Sequence, residues 1–177
     1  MLFGSKATFA IEAMTEPHLI PPSAVWGRMQ VWCRGGAIGD FSEECCALFG
    51  PYEGFRNLLR SLPKLWFQEF EGLSDLQLWN RLDGLLYFAD DDRTLEQCSR
   101  DWEQYGQCNF LTNWGEQFDG NGKSFIVCAP SGVVHILNQS LPNGISCEVP
   151  LLDVLAAANE YASWFESEQA RLASSSG

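Results

Sequence analysis

From Pro150 onward the chain carries one long apolar stripe. Leu151, Val154, Leu155, Ala158, Tyr161, Ala162 and Phe165 recur at the three- and four-residue steps of a single helical face. Pro150 suits the opening of a helix, and Arg171 near the other end suits its closing carbonyls. A helix of this kind needs an apolar surface to lie on, because most helical stability in proteins comes from tertiary packing. The rest of the chain must therefore supply that surface.

It does so mainly with strands. Thr8 to Met14 alternates, with Phe9, Ile11 and Ala13 on one side and Glu12 on the other. Pro17 and Pro21-Pro22 force an extended loop. Val25 to Cys33 alternates again, and Gly35-Gly36 can turn the chain into a short returning strand over Ala37 to Phe41. These segments predict an antiparallel meander. The period then lengthens: Tyr52, Phe55, Leu58, Leu59 and Leu62 predict a helix that Pro63 ends. Ser74 and Gln77 form a capping box ahead of a second helix through Leu78, Leu82 and Leu85. Leu95, Cys98, Trp102 and Tyr105 share one face of a third. Strand signals return at Asn109 to Trp114. Asp119-Gly120-Asn121-Gly122 reads as a hairpin turn, and Ser124–Cys128, Val133–Leu137 and Ile145–Val149 follow as strands. The expected class is α+β: an antiparallel sheet of short strands, with inserted helices and a long C-terminal helix. Residues 1–173 read as one domain and 174–177 as a disordered tail.

Charge narrows the function. Of 177 residues, 23 are acidic and 11 basic, a net charge of −12. Residues 1–88 hold 10 acids and 7 bases, while residues 89–177 hold 13 and 4. Such a field opposes nucleic acid and anionic lipid, and favours a basic partner. Aromatic residues make up 13% of the chain, which excludes a disordered acidic tail. No apolar run approaches a membrane span. The N-terminus has no basic-then-apolar leader pattern, and the seven cysteines form no CxxC pair, so all seven read as reduced thiols in the cytoplasm.

Catalytic patterns are missing from the sequence. There is no phosphate loop, no dinucleotide fingerprint, no nucleophile elbow and no two-histidine metal motif. His18 lies in a Pro-rich loop, and His135 lies within a strand as an isolated sheet histidine, so no metal or other cofactor is expected. Asp119 to Lys123 begins like a calcium loop but places a lysine where an oxygen ligand belongs. What remains is a surface. Asp90, Asp91, Asp92, Glu96, Asp101 and Glu103 surround Trp102 and Tyr105, and Trp114, Glu116 and Asp119 follow nearby. Aromatic anchors ringed by charge suit a protein interface. The candidate partner-binding residues are therefore Asp90, Asp91, Asp92, Glu96, Asp101, Glu103, Trp114, Glu116 and Asp119.

Several segments also resemble a known family. They are Met1-Leu2-Phe3-Gly4 leading to Phe9-Ala10-Ile11-Glu12, Val25-Trp26-Gly27-Arg28, Ile38-Gly39-Asp40-Phe41, Asp90-Asp91-Asp92-Arg93, and Asn109 through Glu116. In order and wording these are similar to bacterial polymorphic-toxin immunity proteins of immunity family forty-two. The resemblance implies a cytoplasmic α+β protein that binds one cognate toxin domain, delivered by contact-dependent inhibition or type VI secretion, and blocks it. Joined to the acidity, it points to a basic toxin domain, a nuclease foremost. Two other readings stay open: a scaffold protein without a toxin, and an enzyme with a carboxylate or thiol site.

Overall fold

The computed structural model describes residues 1–87, 93–142 and 144–173. The described residues build two antiparallel sheets. The first contains β1 (Leu2–Gly4), β2 (Phe9–Thr15), β3 (Trp26–Cys33) and β4 (Gly36–Ile38) in that order, with β5 (Cys46–Ala47) paired to the start of β3. The second contains β6 (Ser124–Cys128), β7 (Val133–Asn138) and β8 (Ser146–Pro150). Among the described residues four α-helices accompany them: α1 (Phe49–Ser61), α2 (Asp75–Leu86), α3 (Leu95–Tyr105) and α4 (Leu151–Ala173). The α+β class and the long C-terminal helix are as the sequence implies.

Strand alternation works as expected in the first sheet. Phe9, Ile11 and Ala13 pair with Cys33, Val31 and Met29, and all six face the core. On the opposite face Glu12 pairs with Gln30 and accepts hydrogen bonds from Lys6, Gln30 and Trp32 at 2.7 to 2.8 Å. Helix α4 lies on β1 and β2 beside α1. Its Tyr161 is fully buried, meets Phe3 and Phe55 edge-on, and donates its hydroxyl proton to the Leu48 carbonyl at 3.2 Å. Phe165 stacks on Tyr52 of α1 with centroids 4.3 Å apart. In the second sheet all five residues of β6 are buried, matching their near-continuous apolar character. Among the described residues no helix is long and apolar enough to cross a membrane.

Four local expectations need correction. The first hairpin turns at Arg34-Gly35, both at positive φ, rather than at Gly35-Gly36. Gly36 is instead a strand residue whose missing Cβ leaves room for Pro142. The returning strand stops at Ile38, because Gly39 adopts φ +108° and leaves the pleat. Asn109 to Trp114 forms no strand. Only Asn109 bridges to β6, at Phe125, and positive φ at Leu111 and Asn113 then folds the segment into a loop. Thr112 Oγ accepts the Ser124 N–H at 2.8 Å, taking the place of a ladder bond. Finally, Asp119 to Gly122 is not a hairpin turn. Glu116–Asn121 forms a short 3-10 helix, and the Asn121 side chain accepts the Gly39 N–H at 2.9 Å. Residues 174–177, expected as a tail, lie outside the described residues.

Candidate partner-binding site

Helix α3 is held at its ends. Thr94 accepts the Gln97 N–H, and Gln97 accepts the Thr94 N–H in return. Just before the cap, Arg93 donates to the carbonyls of Gly84 at 2.7 Å and Leu85 at 3.1 Å, at the end of α2. The same guanidinium is ion-paired with Asp101, one turn and a half into α3. At the far end Tyr105 is the buried residue of the helix; its ring meets Phe67 at 4.9 Å and its hydroxyl donates to Glu69. Burial, reinforced by that carboxylate, pushes the Tyr105 phenol up to about 12. The bond from Tyr105 in turn holds the Glu69 carboxyl below its ordinary range.

Most of the apolar stripe of α3 consequently stays out of the core. Of the four residues on that face only Tyr105 is buried, whereas Leu95 is 88% and Trp102 50% exposed. The Trp102 indole rests on the backbone of Gly106, where an added Cβ would sit 3.2 Å from the ring, and meets Tyr87 edge-on at 6.4 Å. Trp102 and Glu103 form a ridge between two concavities. On one side is a groove of about 900 Å³, walled by Asn57, Arg60, Ser61 and Lys64 opposite Trp102 and Glu103, with Trp114 also lining it. On the other side is a shallow depression of about 400 Å³, lined by Leu86, Leu95, Cys98 and Ser99 as well as the ridge.

The structure divides the residues that the sequence grouped. Glu103 and Trp114 both line the groove. Glu96 is exposed on α3, seven positions before Glu103 and so on the same helical face. Asp101 belongs to the Arg93 clamp. Trp114 is wedged edge-on between Phe55 at 5.3 Å and Phe110 at 5.5 Å, so it anchors the groove more than it projects from it. Glu116 and Asp119 are exposed on the 3-10 segment that packs on β3 and β5, away from the groove lining. Asp90, Asp91 and Asp92 lie outside the described residues. The groove also holds what the charge count hid: the wall formed by α1 and the turn after it carries two cations, Arg60 and Lys64, against the single carboxylate of Glu103.

The described lining of the groove contains neither Cys nor His. A second cavity of about 340 Å³ does contain thiols, Cys33 and Cys147, beside Arg34 and Glu148. A hydrogen bond from Cys33, aided by the Arg34 charge, holds the Cys147 thiol below its ordinary value, while that bond and burial push Cys33 up. All seven cysteines are free. His135 is not isolated as its sequence context implied: its Nδ1 lies within hydrogen-bond distance of Asp75 Oδ1, at 3.2 Å, and Glu148 Oε1 stands 3.9 Å away. Strand pairing and the start of α2 create that grouping, and neither leaves a short-range signal.

A family profile described as Immunity protein 42 matches residues 1–142. The fold is similar to that of CdiI from Burkholderia dolosa, known from a crystal structure, with a TM-score of 0.65 at 13% identity. That likeness covers 93% of this chain and 99% of the other. No curated protein matches the sequence.

Proposed function

The chain belongs to the immunity protein 42 family, and from that premise we propose that it neutralises a cognate toxin domain by docking through the ridge and groove of α3. The observation that carries this reading is the exposed apolar stripe of Leu95 and Trp102 on a helix fixed by its ends. A Trp set between two concavities can serve as an anchor, and the surrounding polar rim can exclude water from it. Glu96 and Glu103 flank the stripe, and the sequence places Asp90, Asp91 and Asp92 directly before Arg93. Together they favour a basic partner that meets the acidic α3 side of the ridge, away from the Arg60 and Lys64 wall of the groove. A nuclease domain, which needs cations to hold phosphates, is the leading class.

Inhibition is by occupancy, with no chemistry performed on the toxin. An exposed Trp ridge on a helix fixed at its ends suits binding of that kind. Seven free thiols suit action in the reducing cytoplasm of the producing cell.

The test is co-expression with the toxin encoded beside this gene. Protection of the host by the intact chain, lost on Trp102→Ala while the variant stays folded, is the expected result. Killing in the presence of abundant folded protein would remove the immunity reading. Full protection by both Trp102→Ala and Leu95→Ala would move the interface off α3.

A further inference from the structure

We propose that Asp75, His135 and Glu148 form a site for a divalent transition-metal ion of the zinc class. This site is independent of the docking reading. His135 on β7 and Glu148 on β8 are directly opposed in the strand register, so their side chains leave the same face of the second sheet. Asp75, the first residue of α2, comes over that face. One ligand atom from each of the three lies within 4.8 Å of the other two.

The spacing suits a small cation. Bonds of about 2.0–2.2 Å in a tetrahedral shell set ligands about 3.3–3.6 Å apart. His135 Nδ1 and Asp75 Oδ1 are already 3.2 Å apart, and His135 Nδ1 and Glu148 Oε1 are 3.9 Å apart. The remaining adjustment falls to Glu148, whose side chain is 55% exposed. Asp75 is already oriented, because its other oxygen accepts the Ser146 hydroxyl proton and leaves Oδ1 toward the imidazole. The Trp66 ring stands 6.4 Å from the imidazole and flanks one side of the site.

The donor set selects the class of ion. Two carboxylates balance a charge of plus two, and the neutral imidazole binds through Nδ1 with its proton carried on Nε2. Three protein ligands with nitrogen among them fit zinc, cobalt or nickel, whereas calcium takes six to eight oxygens. A bound ion would tie the first turn of α2 to β7 and β8. Binding to the folded state alone would also raise the unfolding temperature.

Cobalt(II) titrated into the full chain tests this, because its visible spectrum reports its ligands. The expected result is saturation at one equivalent, visible d–d bands, no thiolate-to-cobalt charge-transfer band, and displacement by zinc. His135→Gln should abolish binding, and Glu148→Gln, a change at an exposed side chain, should weaken it by about tenfold or more. Zinc should raise the melting temperature of the intact chain and leave that of His135→Gln unchanged. Absence of saturable binding overturns the proposal. So does a thiolate band, or affinity unchanged by Glu148→Gln, since either would place the ion on the cysteines or elsewhere. If His135→Gln fails to fold, the spectrum and Glu148→Gln still decide.

Discussion

The indole of Trp114 occupies the space that a side chain on Gly54 would fill: a Cβ built there would lie 2.5 Å from two ring carbons. Gly54 sits in the middle of α1, where alanine would ordinarily favour the helix by about 1 kcal/mol. Here the clash dominates, because Trp114 is held edge-on by Phe55 and Phe110 and cannot simply swing aside. Gly54→Ala should destabilise the fold by about 2 kcal/mol, read as a lower urea midpoint. An unchanged or raised midpoint would show that Trp114 is mobile.

Truncating the ridge should separate binding from folding. Trp102→Ala should weaken toxin affinity by about 2 kcal/mol, roughly thirtyfold, while shifting stability by no more than about 0.5 kcal/mol. Paired calorimetric titration and denaturant unfolding check both halves. A large stability loss with little affinity loss would assign Trp102 to the fold.

Charge reversal should act on encounter. Glu96→Lys with Glu103→Lys should lower the association rate about tenfold at low salt, with the difference shrinking as salt screens it. The triple reversal of Asp90, Asp91 and Asp92 to Lys should do the same. Stopped-flow mixing at two ionic strengths measures it; equal rates at low salt would remove those acids from the approach face.

Tyr105→Phe removes the hydroxyl bonded to Glu69 while keeping the ring between Phe67 and Phe70. The expected cost is about 1 kcal/mol, modest because Glu69 is itself solvated. Hydrogen exchange should show faster opening at the C-terminal end of α3.

Acid should destabilise the protein through three carboxyls held below their ordinary 4.5. For Glu12, burial pushes upward and the bonds from Lys6, Gln30 and Trp32 outweigh it. For Glu16 the bond from Arg28 leads, opposed by burial, and the Cys45 N–H adds to it. Glu69 is held by Tyr105. In each case the folded value lies below the unfolded one. The stabilisation is therefore complete above the ordinary value and drains away as pH falls through the lowered values. Unfolding midpoints should fall from about pH 4.5 downward, and Glu12→Gln should flatten that dependence. A midpoint insensitive to acid would contradict the assignment.

Periodicity reveals the elements that pack by one continuous face. The α4 stripe, the alternation of Phe9, Ile11 and Ala13, and the Ser74–Gln77 capping box could all be read directly, because each depends on residues close in sequence. The two-residue β5 is too short to show a period. The loop from Asn109 to Trp114 takes its shape from distant partners, Thr112 against Ser124 and Trp114 against Gly54. The same limit applies to the site. Acids near aromatics were visible, but spacing on α3 could not say that Leu95 and Trp102 face water, nor that Asp101 is drawn into a clamp with Arg93. Nor could it bring Asp75 to His135, since the two are 60 positions apart.

The end-held attachment of α3 bears on how such a protein diversifies. Its capping box, the Arg93 clamp and Tyr105 fix the helix using positions other than Leu95, Cys98, Ser99, Trp102 and Glu103. Substitutions at those five positions leave the anchoring bonds intact. If α3 docks the toxin as proposed, recognition can drift from one toxin to another without passing through unfolded intermediates, and lineages facing new rivals can explore that helix face while the scaffold stays put.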